Sequence, residues 1–185
     1  MPVIIIKECF AVIKCKPERN PRQVTVIMIC FVALFVTVAA AACIVGAYRW
    51  FFELLLLVVS AGGIFVLYRF SMTEMEYEVG DGGFAVYKTV GKKRTTACAL
   101  DLSTAVTLLP KNEYEQKVKK GELPYINTRF NFNQNVRSAG SYVYVCEFNG
   151  KNIAAEFEPN AIFVGVMLEE IEKSKQNGEE SGEDA

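Results

Sequence analysis

No charged side chain occurs between Val24 and Tyr48, and after Arg49 a second apolar run, Trp50 to Tyr68, follows almost at once. At a rise of about 1.5 Å per residue the first run extends about 37 Å as a helix and the second about 28 Å, against a hydrocarbon core of about 30 Å. Both are long enough to cross. Burying so much apolar chain inside a soluble domain would need a core that 185 residues can hardly build. The expected arrangement is a membrane hairpin, with helices over 24–48 and 50–70. Glu53 would cost about 3 kcal/mol at the bilayer centre, but it falls in the first turn of the second helix, at headgroup depth, where an anion suits a helix N-terminus.

The formal net charge of −1 conceals a segregated distribution. Residues 1–23 carry Lys7, Lys14, Lys16, Arg19 and Arg22 against Glu8 and Glu18, and the chain beyond the second run is hydrophilic and lysine-rich. Positive charge beside membrane spans marks the cytoplasmic side. A multi-pass cell-membrane protein with two spans and both termini cytoplasmic is therefore expected, with only the turn around Tyr48 and Arg49 outside. The basic 1–23 segment lacks the order of a secretory signal, because its basic residues follow the apolar stretch Val3–Ile6. Lys7 and Lys14 share one helical face, which fits either a short interfacial helix ended by Pro17 and Pro21 or a frayed basic tail.

From Met72 the pattern becomes short segments punctuated by turns, as in a small β-rich domain expected over 72–175. Strands are expected at Glu74–Val79, Phe84–Val90, Arg94–Leu100, Ala105–Leu109, Arg129–Asn133, Tyr142–Phe148 and Lys151–Glu158. Asn149-Gly150 marks a type I′ hairpin, which needs positive φ at both central residues. The charged segment Lys111–Leu123 reads as a solvated helix or loop. After Pro159, Ile162, Phe163, Val166, Met167 and Ile171 recur at helical spacing, with Asn160 as N-cap. The acid- and glycine-rich tail, 176–185, is expected to be disordered.

About seven strands followed by one helix resembles the pleckstrin-homology-like (PH-like) architecture, a bent antiparallel β-sandwich capped by a C-terminal helix. The expected fold class is thus a membrane α-hairpin plus an α+β soluble domain. Glu76-Tyr77-Glu78-Val79 directly after the second run, the turn Gly80-Asp81-Gly82-Gly83, and Phe84–Val90 leading into Lys92-Lys93-Arg94 are similar to an uncharacterised bacterial family of two-span membrane proteins with a C-terminal PH-like domain. Val86-Tyr87-Lys88 departs from the more acidic pattern of that family. The resemblance, over roughly 25–172, implies fold and placement and carries no assigned activity.

The chain has no histidine, which removes the commonest general base and most zinc chemistry. No catalytic or metal-binding residues are nominated, no cofactor is expected, and an enzyme is not expected. Nucleic acid is not an expected partner. Glu76 and Glu78 share a strand face and read as solvated. Lys88, Lys92, Lys93 and Arg94 form the candidate lipid-binding cluster, since cations near the inner leaflet each gain about 1 kcal/mol from anionic lipid; a merely solvated turn is the plain alternative. The six cysteines show no ligand spacing, and reversible acylation at Cys9 or Cys15 is an option their place near the membrane surface allows. Small residues at Ala39–Ala42 and Ser60–Gly63 allow close helix approach within the hairpin or between chains. The expected function is a non-enzymatic, membrane-anchored binding or scaffold module at the cytoplasmic face, engaging an unidentified protein partner or the lipid bilayer. The alternative is a self-associating subunit of a transport or channel assembly.

Overall fold

The computed structural model describes residues 12–44, 48–138 and 140–183. Helix α1 (Pro21–Ile44) and helix α2 (Arg49–Val66) carry the two apolar runs, and α2 continues into a π-helical turn, Leu67–Met72. The two lie side by side as a hairpin, each long and apolar enough to cross a membrane. Phe31 of α1 sits against Gly62 and Gly63 of α2, where an added Cβ would come within 3.4 and 3.7 Å of its ring. The small residues therefore make room for an aromatic ring between the helices. At the start of α2, Glu53 is neutralised by Arg49, 2.9 Å away.

Strands β1 (Ile13–Cys15), β2 (Thr73–Gly80), β3 (Gly83–Val90) and β4 (Lys93–Asp101) form one antiparallel sheet in that order. Strand β5 (Ala105–Pro110) leads into helix α3 (Lys111–Lys120), then β6 (Thr128–Asn131), β7 (Tyr142–Phe148), β8 (Lys151–Phe157) and helix α4 (Ala161–Glu183). The second sheet has the order β5-β7-β8-β6, with β6 parallel to β8. β2 alternates strictly: Thr73, Met75, Tyr77 and Val79 point inward while Glu74, Glu76 and Glu78 point outward. This is the pattern of a sheet wet on one face. Between the sheets, Tyr77, Phe84, Tyr144 and Phe157 meet Phe163, Met167 and Ile171 of α4 in one core. Ring centroids there lie as close as 4.8 Å, for Phe84 and Phe157.

Local chemistry explains the punctuation. Asn149 and Gly150 take φ of 52° and 72°, as a type I′ turn demands. Asn160 Oδ1 accepts the Phe163 N–H at 2.8 Å and caps α4.

Three expectations are corrected. First, Ile13–Cys15 is not helical but pairs antiparallel with β2, Ile13 opposite Val79 and Cys15 opposite Tyr77. The hairpin is thus inserted between the first two strands of one sheet, so the soluble part is not confined to 72–175. The chain leaves the sheet through α1 and returns to it through α2. Residues 1–11, including Cys9, lie outside the described residues, as do 45–47 between α1 and α2. Second, one pairing is parallel where an antiparallel sandwich is expected, that of β6 with β8; the strands that follow the hairpin are β2 to β8, and β1 is added to them. Third, α3 is not merely solvated. Strand β7 is buried on both faces, so its outer residues Val143 and Val145 need a cover, and Tyr114 of α3 with Leu109, Leu123 and Ile126 supplies it. Helix α4 extends to Glu183.

Candidate functional site: the junction between hairpin and sheets

The outer face of the first sheet decides the fate of the basic cluster. Lys14 of β1 lies 2.7 Å from Glu78, Lys16 lies 2.6 Å from Glu74, and Arg94 reaches across to both Glu76 and Glu78. Arg94 also stacks 3.7 Å over the Tyr87 ring. Burial alone would raise the Glu78 pKa, but hydrogen bonds from Lys14 and Arg94 outweigh it and leave the carboxyl below its ordinary value. Glu76 and Glu78, read as plainly solvated, are therefore the anchors of a charge ladder. Arg94 is spent on them and is not offered to a ligand.

The other three cations stand differently. Thr73, the first residue after the π-helical turn, is paired with Val90, so the tight turn at Gly91-Lys92 lies at the end of the sheet that adjoins the hairpin. Lys92 and Lys93 are exposed there, with no ion pair among the described residues. Lys88 places its Nζ 5.1 Å from the centre of the Tyr68 ring, in the same π-helical turn. The structure thus brings Lys88, Lys92 and Lys93 to the hairpin end and turns Arg94 away.

The hairpin is tied to the sheets by a polar strap, residues 131–138, between β6 and β7. Gln134 is buried; its Oε1 accepts the Met75 N–H at 2.8 Å and its Nε2 donates to the Thr73 carbonyl at 3.0 Å. Arg19 donates to the same carbonyl, and Arg69 of the π-helical turn donates to the carbonyls of Asn131 and Asn133 at 3.2 and 3.0 Å. On the α1 side, Asn135 Oδ1 accepts the Asn20 N–H at 2.7 Å, and Gln23 and Arg137 exchange two bonds through side-chain amide and backbone at 2.9 and 3.0 Å. Tyr77 reaches up from the core and donates to the Phe132 carbonyl at 3.0 Å. Desolvation holds its phenol far above the ordinary range, so it stays a donor. Both feet of the hairpin are thereby bonded to one loop.

Beneath the strap sits Glu156 of β8, 1% exposed. Its carboxylate accepts from Lys111 Nζ at 2.8 Å, Arg129 Nη2 at 2.6 Å and Asn133 Nδ2 at 2.8 Å. Burial would raise its pKa; these three bonds reverse the effect and lower it. The carboxylate is kept charged and holds β6, α3 and the strap together.

Several clefts open at the junction, and two of them are large. One, about 800 Å³, lies between residues 15–23, the strap and Glu158–Asn160, with Lys16, Arg19, Arg22 and Arg137 against Glu18 and Glu158. The other, about 670 Å³, runs along α1 from Arg22, Gln23 and Arg137 past Val26 and Ile27 to Leu34. Arg137 was not singled out from the sequence. The signal that could have found it is Asn131, Asn133, Gln134 and Asn135, amides dense enough in one loop to satisfy backbone groups elsewhere. Cys15 is buried, and desolvation raises its thiol pKa, so it is not a site for acylation. No group of three or more metal-capable side chains occurs among the described residues.

No curated protein and no solved structure matches the chain. A family model does, and its match takes in both helices of the hairpin together with all eight strands. Over residues 8–176 the chain matches the bacterial PH-like domain family DUF6106, and it belongs to that family.

Proposed function

We propose that this protein is a non-enzymatic binding module whose PH-like domain is held at the cytoplasmic face of the cell membrane by the helical hairpin, and that it engages anionic lipid headgroups and a protein partner there. The observation that carries the reading is the strap. Bonds from both feet of the hairpin to residues 131–138 fix the orientation of the sheets, so the Lys92–Lys93 turn always faces the same way. A tethered domain with free orientation would gain little from two lysines; an oriented one holds them at headgroup depth, where each is worth about 1 kcal/mol. The basic flank of α1 supports the cytoplasmic placement. For a protein partner, β4 is an edge strand exposed from Lys93 to Ala97, and a bulge between Val86 and Tyr87 leaves Ala97 without a partner, which limits strand addition to the Lys93–Thr96 half.

The test uses the full chain in nanodiscs. Amide exchange across Val90–Lys93 is expected to be slower in discs of anionic phospholipid than in zwitterionic ones, and the difference is expected to vanish in Lys92→Gln/Lys93→Gln. Equal exchange in both lipids would remove the headgroup contact.

A further inference from the structure

The cleft along α1 is graded in a way that a packing defect would not be. At its sheet end stand Arg22, Gln23 and Arg137; from there it is lined by Val26, Ile27, Cys30, Phe31 and Leu34, with Val136 of the strap closing one side. The twelve-residue step from Arg22 to Leu34 rises about 18 Å, close to the about 15 Å depth of a single leaflet's hydrocarbon. Its volume of about 670 Å³ falls within the range of small-molecule sites. The reciprocal amide bonds of Gln23 and Arg137 fix the strap over the first turn of α1, which sets both arginines at one mouth. Among the described residues neither guanidinium is in an ion pair. Two arginines at the start of a long helix favour a phosphate, which guanidinium binds in bidentate fashion and the helix N-terminus also attracts.

We infer that this cleft is a binding site for one anionic phospholipid of the adjoining leaflet, with its phosphate at Arg22 and Arg137 and an acyl chain along α1 toward Leu34. A free phosphate would use the arginines and leave the apolar wall uncovered; a zwitterionic phospholipid would use the wall, but its own cation offsets its phosphate and leaves the charge of both guanidinium groups uncompensated. The inference rests on the proposal that the hairpin lies in a bilayer, and it is distinct from the Lys92–Lys93 contact, which lies on another element.

The experiment is native mass spectrometry of the detergent-solubilised full chain, combined with site-resolved alkylation of Cys30, which lines the cleft, and of Cys43, which does not. Phosphatidylglycerol is expected to remain bound at least tenfold better than phosphatidylcholine and to slow Cys30 alkylation without affecting Cys43. Inorganic phosphate is expected to leave Cys30 reactive. Arg22→Gln/Arg137→Gln is expected to lose the tenfold preference and the slowing of Cys30 alkylation, while Lys119→Gln/Lys120→Gln, exposed on α3, keeps both. Equal retention of the two lipids, unchanged Cys30 labelling, or full binding by the double arginine variant would overturn the site, as would efficient Cys30–Cys30 disulfide formation in the lipid-loaded protein, which would mean that a second copy fills the cleft. A chain that stays in solution without detergent would overturn the membrane reading as well; a membrane-inserted chain whose Cys30 labelling phosphatidylglycerol leaves unchanged would overturn this inference alone.

Discussion

Replacing Glu156 by alanine removes the acceptor of three side-chain hydrogen bonds at 2.6–2.8 Å, from a site with 1% exposure. Breaking a buried ion pair from one side costs about 3–5 kcal/mol. Here the lower end applies, because the Lys111 and Arg129 side chains are 37% and 43% exposed and can recover water. Asn133, 4% exposed, cannot, and its amide would be left without an acceptor. The expected loss is about 3 kcal/mol, or roughly 6–12 °C in the melting temperature of a chain of 185 residues. Glutamine keeps an acceptor for Asn133 and loses the charge, so Glu156→Gln should fall between alanine and wild type. Differential scanning fluorimetry of the full chain in detergent reads this directly. The pH dependence supplies a second reading. The folded carboxyl titrates below its unfolded value of about 4.3. Its stabilisation is therefore complete above that value and is lost as pH falls through the folded pKa. Wild type should lose melting temperature on acidification below about pH 4.3, and Glu156→Gln should lose less. A melting temperature for Glu156→Ala within 2 °C of wild type would refute the reasoning.

Gln134→Ala removes the acceptor for Met75 N–H and the donor to Thr73 C=O, both buried, and should cost about 2–3 kcal/mol while raising amide exchange at Thr73–Tyr77 more than at β8, as measured by exchange mass spectrometry. Tyr77→Phe loses the phenol bond to Phe132 without changing the core, so a destabilisation of about 1 kcal/mol is expected from thermal melts, with α4 still docked. A chain beginning at Met72 lacks β1 and exposes the edge of β2 from Tyr77 to Val79; light scattering should show it aggregating where the full chain in detergent does not.

Regular alternation made β2 legible, because a sheet with one wet face writes its pattern into adjacent residues. The Asn149-Gly150 turn and the Asn160 cap were legible for the same reason, each depending on its own backbone chemistry. β1 was not, since Ile13-Lys14-Cys15 is three residues long and its partner begins beyond two long helices. The basic cluster was legible as composition but not as a site. Whether Arg94 faces a ligand or Glu76 and Glu78 depends on cross-strand register, which no local pattern encodes. The strap escaped for a related reason: buried amides that satisfy distant backbone groups have no periodicity, and Arg137 matters only once Gln23 has been brought to it.

The account requires β1 and the remaining strands to lie on one side of the membrane, reached by going out through α1 and back through α2. Fusing a reporter after Ala185 and reading it in intact cells tests this most directly. A cytoplasmic fluorescent protein should be bright and an alkaline phosphatase at the same site inactive. An active phosphatase with a dark fluorescent fusion would place the sheets outside and contradict the account.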